Sequence, residues 1–161
     1  MNHLTIPEFG VRDMVRLIFG EAPLVPGGLQ APALAQCVAQ MTARNAMLRA
    51  AEGMPTLGEE TAHLLGAIES YFSDVAPGHI AKRPWSRLAV EGNLYTGLEE
   101  LRHEVERAMG HIQLERELNY PWIGRQVRVR DVLLHVVDHT IHHRGRLAVL
   151  MRQCGLTPPA L

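Results

Sequence analysis

Four of the nine histidines in this 161-residue chain lie between positions 135 and 143, in the run His135-Val-Val-Asp138-His139-Thr140-Ile141-His142-His143. A neutral imidazole can ligate a metal, act as a base, or bond to its neighbours. Direction decides between these roles. With His135 at zero and about 100° per helical residue, His139 lies near about 40° and His143 near about 80°. Val132 and Leu150 then fall near about 60°, Val136 near about 100° and Leu147 near about 120°. His139 and His143 therefore sit in the middle of an apolar stripe. His135 and His142 lie at its edge, beside Arg146 and Gln153. An unpaired buried polar group costs roughly 1–3 kcal/mol. Core histidines bonded to backbone or water avoid that cost one at a time. An i, i+4 pair can instead aim two nitrogens at a single metal ion. The position of the pair on the stripe favours the metal.

Other metal chemistries fit less well. Position 140 is Thr, so the HExxH motif of zinc proteases, with its Glu base, is excluded. A di-iron carboxylate bundle needs paired ExxH motifs and two further Glu. Glu100-Leu-Arg-His103 has that spacing but reads as solvated helix surface. Two histidines leave a metal under-coordinated, and a third ligand must come from another helix. His63 is the best placed, mid-helix in Thr61-Ala-His63-Leu-Leu-Gly-Ala-Ile68. His3, His79 and His111 fall near termini or loops, and His103 sits among charges. Carboxylates are expected to hold the remaining ring N–H groups. Asp138 is adjacent in sequence but lies near about −60°, off the ligand face.

The elements that must carry these residues read as helices. Residues 1–28 form a lead-in with a short amphipathic piece, Val11 to Phe19, ending in Pro26-Gly27-Gly28. A long helix is expected from about Leu29 to Glu52, rich in Ala, Leu, Met and Gln despite Pro32, and stopped by Gly53 and Pro55. Thr56 and Glu59 make a capping box that starts the next helix, which runs to about Val75 before Pro77-Gly78. Ser86 is placed as the cap of a third helix reaching His111, weakened by Gly92 and Gly97. Residues 112–128 read as a connection around Pro121 and Gly124, with a short extended piece at Gln126 to Val129. The last helix is expected from about Arg130 to Cys154, with Gly155 as its left-handed cap and Pro158-Pro159 beyond. Four long helices joined by short links predict an all-α four-helix bundle over residues 29–161.

Composition bounds the rest. At 17.9 kDa the chain is one domain's worth of sequence. Sixteen Lys and Arg against 17 Asp and Glu give a formal net charge of −1 and a pI near 6.8. That balance argues against a protein that coats nucleic acid. No apolar run approaches the roughly 18–20 residues that span a bilayer. Met1 to Phe9 lacks the basic and apolar regions of a secretory signal. Cys37 and Cys154 are far apart, form no CxxC, and read as reduced thiols. A cytoplasmic location is expected.

The stretch Leu134-His135-Val-Val-Asp138-His139-Thr-Ile-His142-His143-Arg144-Gly145, followed by Leu150-Met-Arg-Gln-Cys-Gly155-Leu-Thr-Pro-Pro159, resembles the last helix of the DinB/YfiT-like proteins. That helix typically reads NHxxxHRGQ, then LRQxG with prolines after. His63-Leu-Leu-Gly-Ala-Ile-Glu69 is similar to the second helix of those proteins, which supplies their first metal ligand. The resemblance covers about residues 29–159, and residues 1–28 have no clear counterpart. It implies a four-helix bundle in up-down-down-up order, often a homodimer. Carried over by motif position, it implies His63, His139 and His143 as ligands of a divalent metal, zinc or nickel by donor type. Asp138 stands where Asn is common, and Arg146 where Gln is common.

Characterised relatives of this fold include thiol-dependent transferases and isomerases using bacillithiol, mycothiol or glutathione. The resemblance therefore implies a metal that activates a thiol or water against a small electrophilic substrate. The thiol would be a low-molecular-weight co-substrate. His135, His142 and Arg146 on the rim are then candidate acid/base or anion contacts. The alternative is a non-catalytic, stress-associated metal-binding bundle, which a closed four-ligand site would favour. A partner-binding role would use the apolar side of the lead-in (Val11, Met14, Val15 and Ile18). Packing of that side within the chain is the simpler expectation.

Overall fold

The computed structural model describes residues 10–20, 33–120 and 124–159. Met1 to Phe9, Pro26-Gly27-Gly28, the helix start expected at Leu29, Pro32 and Pro121 lie outside the described residues. Seven α-helices are present among the described residues: α1 (Val11–Phe19), α2 (Leu34–Ala39), α3 (Ala43–Ala46), α4 (Leu57–Val75), α5 (Trp85–Glu91), α6 (Leu94–Ala108) and α7 (Val129–Gln153). A 3₁₀ turn, Met109–His111, follows α6. A hairpin of β1 (Glu117–Tyr120) and β2 (Arg125–Arg128) precedes α7, paired antiparallel with Leu118 opposite Val127. The class is all-α, and the hairpin is a small addition to it. No helix among the described residues is long and apolar enough to cross a membrane.

Side-chain contacts give the helix directions. Tyr71 of α4 meets His135 of α7, and Glu60 meets His143, so α4 and α7 are antiparallel. Gly66 faces the Trp85 ring and Gly58 faces Ala89, so α5 runs back along α4. Gly97 of α6 then packs on Trp85, while Glu104 further along reaches Arg83, which also bonds Glu69. The α6 helix is therefore parallel to α4, with α5 as the return strut. Ala43 abuts Gly92, and Ala35 lies beside Leu98 and Arg102. The first segment thus opposes α6. This is the up-down-down-up order.

Each helix buries one stripe. Leu64, Leu65, Ile68 and Phe72 of α4 meet Leu94, Leu98, Leu101 and Val105 of α6 and Leu133, Val136 and Leu147 of α7, all 1% exposed or less. The α1 helix is docked on α7 and buries Met14, Val15, Ile18 and Phe19. Arg144 of α7 donates to the Leu17 carbonyl at 3.0 Å, a second bond beside the Gly20 N–H that the same oxygen accepts at 3.1 Å. The α1 C-cap, Gly20, has φ +73°, and a Cβ there would lie 2.9 Å from that guanidinium. Glycine admits both the backbone conformation and the arginine. Cys37 is buried and Cys154 half-buried, and both are free thiols. Burial pushes the Cys37 thiol up to about 11, which makes it inert.

Two expected helices are broken. The helix expected over 29–52 is, within the described residues, α2 and α3 followed by a loop. The Asn45 side chain donates to the Gln40 carbonyl at 2.8 Å, and the Thr42 hydroxyl accepts from the Asn45 N–H at 3.2 Å. These local bonds end one helix and start another in place of the continuous ladder. The helix expected over 86–111 breaks at Gly92, which caps α5 with φ +73°. A Cβ there would lie 2.7 Å from the Ala43 backbone nitrogen. The break lets α6 turn back beside α4. The expected extended piece at 126–129 is β2, shifted by one residue. Its partner β1 was not foreseen.

Candidate metal centre

The capping box fixes the start of α4. Thr56 N–H donates to the Glu59 carboxylate at 2.7 Å, and Glu59 N–H donates to the Thr56 hydroxyl at 3.0 Å. His63 follows in the second turn. Because α7 runs antiparallel, its residues 139 and 143 pass His63 one turn apart. The ring centroids are 4.9 Å apart for His63 and His143, 5.7 Å for His63 and His139, and 4.3 Å for His139 and His143. One nitrogen from each of the three lies within 4.8 Å of the other two. His143 is buried, His139 half-buried and His63 exposed. The cluster thus closes on the core side and opens toward solvent. Three nitrogen donors converging in this way could hold a divalent metal ion.

Two further observations bear on that fit. The Nε2 of His139 is buried and has no hydrogen-bond partner among the described residues. It needs an electron-pair acceptor or a donor to be satisfied. Second, the Nδ1 of His143 lies 2.7 Å from the Glu60 carboxylate, itself only 4% exposed. A carboxylate on one ring nitrogen fixes the tautomer and leaves the other nitrogen as a lone-pair donor. Glu60 is thus the carboxylate expected behind a histidine of the cluster, at a position that α4 periodicity alone does not single out. Its signal was present: Glu60-Thr-Ala-His63 has the ExxH spacing, one turn before the candidate ligand. Asp138 is exposed on the outer side of α7. Thr140, at the position where a zinc protease carries Glu, is buried and donates to the Val136 carbonyl of its own helix at 2.6 Å.

The rim residues are arranged around this centre. His135 is exposed, and its Nε2 lies 3.1 Å from the Tyr71 hydroxyl, edge to face with that ring. Burial, and next the charge of Asp74, raise the Tyr71 pKa. His142 is exposed and stands edge-on to His143, with centroids 5.2 Å apart. The Arg146 Nε lies 3.5 Å from the Glu60 oxygen that also faces His143. Tyr71 was not singled out from sequence, although it lies about two turns after His63 on α4. The other histidines among the described residues stay apart, and His3 lies outside them. His79 and His111 stack on each other with centroids 4.2 Å apart, and His103 is exposed on α6.

Burial, then the neighbouring His143, His63, His135 and His142, lower the His139 pKa from 6.5 to about 4. The unfolded chain therefore takes up a proton at this residue that the fold refuses. Between pH 6.5 and 4 the unfolded state binds more protons, so stability falls as the pH drops through this window. In metal-free protein the thermal midpoint is expected to drop between pH 7 and pH 5. His139→Gln is expected to flatten that slope. An identical slope in the variant would count against the assignment.

Taken together, these features define an all-α bundle with a three-histidine cluster able to hold a divalent ion. A family model described as the DinB family matches residues 30–161, and the chain belongs to that family. Over 48 residues it is 42% identical to the uncharacterized protein YrdA of Bacillus subtilis (strain 168). That stretch is 30% of this chain and 28% of the relative's length. Among solved structures, a DinB-like protein from Bacillus cereus ATCC 10987 matches with a TM-score of 0.58 at 23% identity. The match covers 80% of this chain and 90% of that one, and it shows the shared fold.

Proposed function

We propose that His63, His139 and His143 ligate one divalent ion, zinc or nickel, and that the protein is a metal-dependent enzyme acting on a small electrophilic substrate. The nucleophile is a low-molecular-weight thiol or water, in a transfer or hydrolysis reaction. The observation that carries this reading is the buried Nε2 of His139, without a partner among the described residues and beside two further imidazoles. Exposure of His63 supports a centre with an open side, as catalysis needs, over a closed structural one. A divalent ion held there would supply Lewis acidity to the nucleophile.

The chain's own residues do the rest. Glu60 holds the Nδ1 side of His143, which directs the other nitrogen to the centre. His135 and the Tyr71 hydroxyl share a hydrogen bond at the rim, where they can relay a proton. His142 stands beside His143 on the rim. The protein is proposed to act in the cytoplasm as a homodimer, without nucleic-acid or membrane partners.

Metal analysis of purified wild type and of His63→Ala, His139→Ala and His143→Ala tests the site. About one metal per chain is expected in wild type, with loss in each variant. Full retention in all three would overturn the assignment. A thiol-transferase screen of the loaded protein follows. Tight metal binding without any thiol-dependent turnover would remove the transferase chemistry and leave a metal-binding bundle.

A further inference from the structure

Arg146 places a cation beside the histidine cluster through its contact with Glu60. Its Nε lies 3.5 Å from Glu60 Oε1, the same oxygen that faces His143 Nδ1 at 2.7 Å. Among the described residues Glu60 is its one ion-pair partner. The arginine side chain is 41% exposed while the glutamate is 4% exposed. The ion pair keeps the guanidinium beside the cluster, and the arginine side chain as a whole stays open to solvent. A guanidinium offers five N–H donors in a planar fork that matches a carboxylate. No acidic residue belongs to the histidine cluster itself, since its three members are imidazoles. Glu60 is shared between His143 and Arg146. With a divalent ion on three neutral ligands, the mouth carries a clear positive excess.

We infer that Arg146 forms an anion subsite, which makes the substrate or co-substrate a molecule with a carboxylate a few bonds from its metal-coordinating atom. The inference rests on the proposed metal site and adds to it the chemical class of ligand. Arg146 acts here as a specificity residue. A metal-coordinating group without the carboxylate gains nothing from it, whereas a two-point ligand is held at both ends.

Cobalt(II)-loaded protein gives a readout independent of turnover, because thiolate coordination to cobalt produces a charge-transfer absorption band. Mercaptoacetate and 2-mercaptoethanol are the probes, alike except that one carries a carboxylate. Wild type is expected to bind mercaptoacetate on the order of tenfold more tightly, the scale of one charge-assisted contact. Arg146→Gln is expected to lose that preference and keep its affinity for 2-mercaptoethanol. Arg146→Lys should restore part of it, as a point charge without the fork. Persistence of the preference in Arg146→Gln would overturn the subsite, as would equal weakening of both probes. Cobalt stoichiometry is measured first in both proteins. Absence of bound cobalt in wild type overturns the metal reading itself, and bound cobalt with no preference for mercaptoacetate overturns only the subsite.

Discussion

Replacing Glu60 by alanine is expected to weaken divalent-metal binding by about 10- to 100-fold, although Glu60 is not placed among the ligands. The carboxylate is 4% exposed and lies 2.7 Å from His143 Nδ1. It selects the tautomer that keeps the proton on Nδ1 and leaves Nε2 free to donate its lone pair. Its negative charge also raises the basicity of that ring. Alanine removes both effects and leaves a buried ring N–H with no acceptor, which costs roughly 1–3 kcal/mol on its own. Glu60→Gln separates the parts. A glutamine oxygen can still accept from Nδ1, so orientation survives while the charge is lost. The glutamine variant is therefore expected to fall between wild type and alanine. Competition titration against a chelator of known affinity measures the three proteins. The metal-free melting midpoint of each shows whether the fold is intact. Wild-type affinity in the folded alanine variant would dismiss the orienting role.

The histidine cluster was legible in the sequence to the extent that it is local. The apolar stripe of α7 is set by helical geometry, so His139 and His143 could be separated from His135 and His142 by angle alone. The α4 start was legible because Thr56 and Glu59 form a self-contained hydrogen-bond pair. Glu60 was not, because Glu59 and Glu60 look alike as neighbours in one first turn. Only the passage of α7 across one side of α4 makes Glu60 buried and leaves Glu59 in solvent. The break between α2 and α3 was hidden for a related reason. Ala, Leu, Met and Gln favour helix, and propensity carries no information about Asn45 reaching back to Gln40. Nor does it record that Ala46 must fit against Gly58, where a Cβ would come within 2.8 Å. The α5 strut was missed because Gly92 reads as a weak spot in one long helix. Its contact with Ala43 is what turns the weak spot into a corner.

At the other end of α5, Arg83 ties down the crossover from α4 to α5. Arg83→Met is expected to destabilise the fold by about 3–5 kcal/mol, the scale for removing one partner of a buried ion pair. For a domain of this size that lowers the melting midpoint by roughly 6–20 °C. The Arg83 side chain is 7% exposed and reaches Glu104 at 2.8 Å, Glu69 at 3.3 Å and Glu100 at 3.5 Å. It also donates to the Ala81 carbonyl at 2.8 Å, within the crossover itself. Glu69 is 8% exposed and accepts from the Arg83 backbone N–H as well. Methionine retains much of the packed stem and removes the cation, which leaves the Glu69 charge buried without its counter-ion. The double variant Arg83→Met, Glu69→Gln removes both charges and is expected to recover part of the loss. Equal loss in single and double variants would mean that packing, and not charge, holds the crossover. Glu69 stands six residues after His63, about 240° around α4 and away from the histidine face. Metal affinity of the folded variant is therefore expected to match wild type. A fall in affinity together with the midpoint would instead tie the crossover to the position of α4 against α7.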